Sequence, residues 1–147
     1  MNFKMKIKKL NDKAIIPTYA SKFAAGADLY SCEDSEITVA PGETRLIHTG
    51  IALEIPQGYV GLIYARSGLS TKRGLAPANK VGVIDCDYRG EIMVALYNQS
   101  GREQTVAPFE RVAQIVFTQY DTAEFEACDE LENTERGEGG FGSTGRK

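Results

Sequence analysis

Three aspartates and one glutamine stand where strand-forming sequence does not favour them. Asp85 and Asp87 flank Cys86 at the end of an apolar run that includes Val81, Val83 and Ile84, and Asp28 follows Gly26 and Ala27 in a second strand-like stretch. Aspartate is depleted in strands, so each position needs a reason. Turn chemistry accounts for Asp87. It accounts less well for Asp85, whose apolar surroundings suit a carboxylate that orients a water molecule or takes its proton. Gln114 lies within Val112-Ala113-Gln114-Ile115-Val116, and a buried amide there must find partners, structural or belonging to a substrate. Arg66-Ser67-Gly68 opens a short helical stretch, where free N–H groups and the positive dipole end favour a phosphate. An arginine at such a place is otherwise half of a surface ion pair.

The C-terminal stretch carries a second set of anion ligands. Gly137-Glu138-Gly139-Gly140-Phe141-Gly142 satisfies G-x-G-x-x-G, and with Ser143 and Thr144 it nearly spells a Walker A loop, Ser143 occupying the lysine position. Neither match has its context, since a dinucleotide fingerprint needs a strand before it, a helix after it and the rest of a βαβ unit. The ligands remain when the motif names are dropped. Five glycines within residues 137–145 expose backbone N–H groups, Ser143 and Thr144 add hydroxyls, and Arg136 adds a bidentate cation, all suited to phosphate. Phe141, an aromatic among glycines with no local core to join, suits stacking on a planar base.

Competing chemistries lack their residues. His48 is the only histidine, which leaves zinc motifs and a serine triad without partners, and its ring is expected to pack on a strand. Cys32, Cys86 and Cys128 are odd in number and form no C-x-x-C pair, so they read as reduced and structural, with no metal cage. Without a nucleophile-and-base pair, water activated by a carboxylate, with Mg²⁺ shielding phosphates, is the economical reaction. A formal net charge of -3 supplies no positive field for a nucleic-acid backbone. Lys4, Lys6 and Lys8 alternate with Phe3, Met5 and Ile7 and read as the solvated face of a strand. No apolar run approaches the roughly 20 residues of a membrane helix. The basic start MNFKMKIKKL lacks the apolar segment of a secretory signal, so the expected location is the cytoplasm.

The elements that must position these residues read as one all-β domain. Short apolar or alternating runs bounded by Gly, Pro, Asn or Asp predict strands over residues 3–10, 26–31, 36–39, 44–54, 59–65, 81–85, 91–99 and 111–119. Residues 86–90 read as a hairpin tip, with Gly90 available for positive φ and the flanking strands paired locally. Only residues 67–73 read as helix, with Ser67 capping it and Gly74 ending it. Beyond Cys128 the sequence is polar and glycine-rich and cannot bury enough apolar surface to order itself. The chain therefore divides into a β domain over 1–128 and a flexible arm over 129–147.

In order, and over nearly the whole chain, these segments resemble the five motifs of the trimeric dUTPases (deoxyuridine 5'-triphosphate nucleotidohydrolases). Ala25-Gly26-Ala27-Asp28-Leu29 is similar to the first, which implies that Asp28 meets Mg²⁺ through water; Ala27 stands where an aromatic is common. Arg66-Ser67-Gly68-Leu69 resembles the second, a phosphate-binding turn. The stretch from Asn79 through Asp85 and Tyr88 to Glu91 resembles the third. It implies a uracil pocket involving Asn79, Val83, Ile84 and Met93, a deoxyribose packed on Tyr88, and Asp85 as the catalytic carboxylate. Arg111-Val112-Ala113-Gln114-Ile115 resembles the fourth, whose glutamine helps hold phosphate and metal-bound water. The glycine-rich end resembles the fifth, an arm that closes Arg136, Phe141, Gly142, Ser143 and Thr144 over the nucleotide.

The resemblance implies a jelly-roll β-sandwich and the hydrolysis of dUTP to dUMP and pyrophosphate by water attack at the α-phosphorus. That reaction limits uracil incorporation into DNA and supplies dUMP for thymidylate synthesis. It also implies Mg²⁺ as cofactor and a homotrimer with shared active sites, which residues 133–147 could help build across a reach of about 50 Å. The dCTP deaminases resemble this fold and trimer but are marked by a serine-rich motif and a catalytic glutamate. This chain has Arg66-Ser67-Gly68-Leu69 and Gly82-Val83-Ile84-Asp85 instead.

Overall fold

The structure, a computed structural model, describes residues 3–140. Its elements in chain order are β1 (Lys6–Lys9), β2 (Thr18–Tyr19), β3 (Ala27–Tyr30), β4 (Ile37–Val39), β5 (Thr44–His48), β6 (Ile51–Glu54), β7 (Tyr59–Tyr64), α1 (Ser67–Arg73), β8 (Leu75–Pro77), β9 (Gly82–Ile84), β10 (Met93–Asn98), β11 (Gln104–Val106) and β12 (Arg111–Gln119). All pairings are antiparallel. A five-stranded sheet runs β2-β3-β12-β7-β9 and a three-stranded sheet β5-β10-β8, with β1 paired to β6 and β11 to β4. Leu29, Ile63 and Ile115 from the first sheet and Ile47, Val94 and Leu96 from the second share one buried cluster, so the expected all-β, jelly-roll-type sandwich is found.

Alternation explains most of the core. Val94, Leu96 and Asn98 of β10 point inward while Met93, Ala95 and Tyr97 are half-buried. Asn98 is fully buried, yet its amide donates to Val39 O at 2.9 Å and Arg102 O at 2.8 Å, and its Oδ1 accepts from Ser100 N–H at 2.9 Å. β12 departs from alternation, since Val112 and Ala113 are both buried. A bulge between Arg111 and Ala113 inserts the extra residue.

Several sequence expectations are corrected. The strand expected over 44–54 is two strands, because Gly50 at φ +67° turns the chain out of one sheet and into pairing with β1. β9 and β10 do not pair with each other: β9 lies on β7, β10 between β5 and β8, and the connection crosses between sheets. Gly90 is not in the left-handed region. α1 has the expected bounds and ends on Gly74 at φ +70°, but its N-cap is Arg66, with no side-chain cap from Ser67. His48 lies on a strand as expected, β5, with its ring half-exposed. Three short strands, β2, β8 and β11, were not anticipated. β8 tolerates Pro77 because it is an edge strand. After Gln119 no strand or helix follows among the described residues, and residues 121–138 are exposed. No described helix is long and apolar enough to cross a membrane.

Candidate active site

The segment between β9 and β10 borders a cavity of 360 Å³ whose lining includes Asn79, Gly82, Val83, Ile84, Asp85, Tyr88, Glu91 and Met93. β9 ends the five-stranded sheet, so one row of its N–H and C=O groups lies outside the ladder. Asp85 is exposed, against the apolar setting expected for it. β9 stops at Ile84, and Asp85 opens a turn in which its carbonyl accepts the Tyr88 N–H at 3.2 Å. Arg89 Nη1 cinches the turn by donating to Cys86 O at 2.7 Å and Tyr88 O at 3.0 Å. The Tyr88 ring folds over Gly90, where an added Cβ would stand 2.4 Å from the Tyr88 hydroxyl, and that hydroxyl donates to Glu91 O at 3.0 Å. A side chain at position 90 would have to displace this ring.

A second cavity, of 420 Å³, is lined by Gly26, Asp28, Tyr64, Arg66, Ser67, Gly68 and Gln114 among others. The bulge in β12 assembles it. Arg111 and Gln114 are three residues apart and would face opposite ways on a regular strand; the extra residue turns both toward Asp28. Arg66 Nε donates to Asp28 Oδ1 at 2.8 Å and Arg111 Nη1 to Oδ2 at 3.2 Å, with the Asp28 side chain only 8% exposed. Two guanidiniums on one carboxylate leave a net positive charge, of which Arg66 stands in the cavity wall. Gln114 Nε2 donates to Ala65 O at 2.9 Å, and its side chain lies across Gly26, where a Cβ would come within 2.4 Å of Oε1.

The two cavities lie on opposite sides of β7. Thr18, Asp28, Gln114 and Tyr64 are cross-strand partners in one row. Ile63, next to Tyr64 and hence facing the other way, lines the first cavity. The anticipated residues thus fall into two groups within one chain. Arg136 joins neither, since its Nε donates to Gly139 O at 2.8 Å within the exposed arm. Phe141, Gly142, Ser143 and Thr144 lie outside the described residues. Arg111 and Glu91, which the sequence places in motifs without assigning them a role, enter the site through Asp28 and the first cavity. For Arg111 the signal was its place three residues before Gln114, legible only to a reader who knew of the bulge.

Direct metal ligation finds no donor set, because among the described residues no three His, Cys, Asp or Glu side chains gather to hold an ion. An outer-sphere contact does fit. Asp28 has two oxygens with about four lone-pair sites, and the two guanidiniums leave capacity to accept from a metal-bound water.

A family model described as dUTPase matches residues 12–145. The deoxyuridine 5'-triphosphate nucleotidohydrolase of Nautilia profundicola is 51% identical over 143 residues, covering 97% of this chain and 99% of that protein. The solved Staphylococcus bacteriophage 80alpha dUTPase with dUPNHPP is similar at a TM-score of 0.89 and 30% identity, over 98% of this chain and 99% of that one. A mutant dUTPase from phage phi11 of S. aureus, described with a structural Mg(II) ion, is similar at a TM-score of 0.79 and 25% identity, over 89% of this chain and 100% of that one.

Proposed function

This chain belongs to the dUTPase family, and from that premise we propose how its own residues hydrolyse dUTP to dUMP and pyrophosphate. Uracil enters the first cavity between Val83, Ile84 and Met93, its acceptor-donor-acceptor edge matched by the free edge of β9 and the Asn79 amide. Cytosine presents the opposite pattern, and a site that leaves buried groups unpaired can reject it by roughly 10⁴ to 10⁵. The cavity's shape excludes a thymine methyl, and Tyr88 stands against the deoxyribose where a 2′-hydroxyl would need room. The triphosphate lies on Arg66, Ser67, Gly68 and Gln114. Asp85 takes a proton from water as the water oxygen bonds to the α-phosphorus; the bond from that phosphorus to the bridging oxygen breaks, and pyrophosphate leaves. Mg²⁺ bound to the triphosphate would shield its negative charge, with Asp28 accepting from a metal-bound water. The arm over 129–147 brings Arg136, Phe141, Gly142, Ser143 and Thr144 to close the site around the β domain over 1–128.

One observation carries the reading of a shared site in a homotrimer: base-side and phosphate-side residues line cavities on opposite sides of β7 in a single chain. A nucleotide spanning both needs a second copy to supply one of them. A cytoplasmic location, with dUTP rather than nucleic acid as partner, completes the proposal. The test is pyrophosphate release from each deoxynucleoside triphosphate with and without Mg²⁺, followed by Asp85→Asn. The wild type is expected to act on dUTP alone, and Asp85→Asn to lose on the order of 10² to 10⁴ in kcat while still binding dUTP. Near-normal turnover of Asp85→Asn would overturn its role as base. Ammonia release from dCTP would overturn the reaction.

A further inference from the structure

The corner between β5 and β6 grips the segment that carries Tyr88. His48 Nδ1 lies 2.9 Å from Glu91 Oε2, and the Gly50 N–H donates to Glu91 Oε1 at 2.8 Å. Thr49 Oγ1 donates to Ile92 O, and the Ile92 N–H donates to Ile51 O at 2.8 Å. Four consecutive residues, His48 to Ile51, therefore each hold Glu91 or Ile92. The corner itself is fixed. Gly50 sits at φ +67° where a Cβ would stand 2.8 Å from Cys32 Sγ and 2.9 Å from Ala14 Cβ, and Glu33 Oε1 accepts the His48 N–H at 2.9 Å. On its other side Glu91 borders the 360 Å³ cavity, and its carbonyl accepts the Tyr88 hydroxyl at 3.0 Å.

We propose that Glu91, braced by His48, is a positioning residue that sets how sharply Tyr88 discriminates deoxyribose from ribose. The proposal rests on the reading of Tyr88 as the group against the sugar. The ring lies over Gly90 but is 41% exposed, so packing bounds it on one face only and the bond from its hydroxyl to the Glu91 carbonyl helps to set where it stands. Movement of Glu91 moves that acceptor.

Charge makes the brace sensitive to pH. The titratable groups facing His48 are Glu91 from the segment before β10, and Cys32, Glu33 and Asp34 from the loop after β3, with Lys13 held on Asp34. Across the ladder on β10 its partner is the uncharged Met93. The hydrogen bond to Glu91 raises the His48 pKa above the ordinary imidazole value, against the opposing effect of burial. A raised histidine contributes its full ion-pair stabilisation below the ordinary value and loses it as pH climbs through the raised one. Sugar discrimination should therefore slacken with rising pH in that window.

The test is steady-state kinetics on dUTP and on UTP with Mg²⁺, from below to above neutrality. The phosphates titrate alike in both nucleotides and cancel in the ratio of their kcat/KM values. His48→Gln keeps a hydrogen-bond donor without the charge, and Tyr88→Phe removes only the hydroxyl. Each is expected to shift the ratio toward UTP by about two- to fivefold, the range of a partly exposed ion pair for His48→Gln and of one neutral hydrogen bond for Tyr88→Phe. The wild-type ratio should drift the same way with rising pH while that of His48→Gln stays flat. His48 is half-exposed, so its variant is expected to fold. A merely structural corner would slow both nucleotides equally, and an unmoved ratio in His48→Gln and Tyr88→Phe overturns the proposal. Tyr88→Ala separates the two failures. If it moves the ratio while the other variants do not, the sugar gate stands and the brace falls; if it leaves the ratio unchanged, the gate falls and the brace with it.

Discussion

Gly26→Ala tests the 420 Å³ cavity, proposed above to hold the triphosphate, through a residue that contributes no side chain of its own. A Cβ at position 26 would stand 2.4 Å from Gln114 Oε1, 3.1 Å from its Cδ and 3.3 Å from its Cβ. The backbone at Gly26 is not left-handed, so alanine adds no torsional strain and the whole cost falls on Gln114. The amide must swing away, breaking the 2.9 Å bond from Nε2 to Ala65 O. One lost hydrogen bond costs about 1 kcal/mol, which for a chain of this size lowers Tm by roughly 2–4 °C. Turnover should suffer more, because an amide displaced by about 1 Å from its productive position costs on the order of 10² in rate. The assay is a double-mutant cycle of Gly26→Ala, Gln114→Ala and the pair, read by melting temperature and by kcat/KM on dUTP. With the obstacle removed, Gly26→Ala should add almost nothing in the Gln114→Ala background. Additive losses, or a Gly26→Ala enzyme with wild-type kcat/KM, would refute the reasoning.

Asp28→Asn leaves two guanidiniums facing each other without a carboxylate between them, and should destabilise the fold by about 3 kcal/mol, the low end for a buried pair because both arginines keep contact with water. Denaturant unfolding checks it, and a change below about 0.5 kcal/mol, the scatter of surface substitutions, would count against the triad. Ending the chain after Glu132 removes Arg136, Phe141, Ser143 and Thr144, and residues 133–138 among those lost are exposed, so Tm should hardly move while turnover drops by orders of magnitude. Co-refolding that truncated chain with full-length Asp85→Asn should restore part of the activity if arm and aspartate come from different subunits; verified mixed trimers without rescue would refute sharing.

Whether a feature could be read from sequence followed from how local its cause is. β12 and α1 have the bounds expected of them, since the first is a long apolar run and the second is bracketed by turn residues and a glycine. Asp85 lacks the apolar setting expected of it because Val81 and Val83, which suggest that setting in the sequence, are themselves 37% and 61% exposed. The bulge in β12 has no compositional mark, and strict alternation would set Arg111 on the face opposite Gln114. Glu91 was overlooked for a plainer reason. Its partners His48 and Gly50 are 43 and 41 residues away, and nothing in the local sequence announces a contact at that distance. The local pairing expected of β9 and β10 failed similarly, because their true partners lie in two different sheets.

The edge position of β9 bears on how freely base recognition can evolve. Where uracil is read along that edge, it is read by main-chain groups, and these are the same whichever amino acid a codon specifies. Point mutation can reshape the walls at Val83 or Met93, but of the encoded residues only proline deletes an N–H. A proline anywhere in Gly82–Ile84 would also fix φ within a strand whose register on β7 matches Gly61, Leu62 and Ile63 to its three residues. An inhibitor that copies the uracil edge would therefore meet resistance from altered walls, an altered arm or loss of the Asn79 amide, and very little from the main-chain contacts along β9.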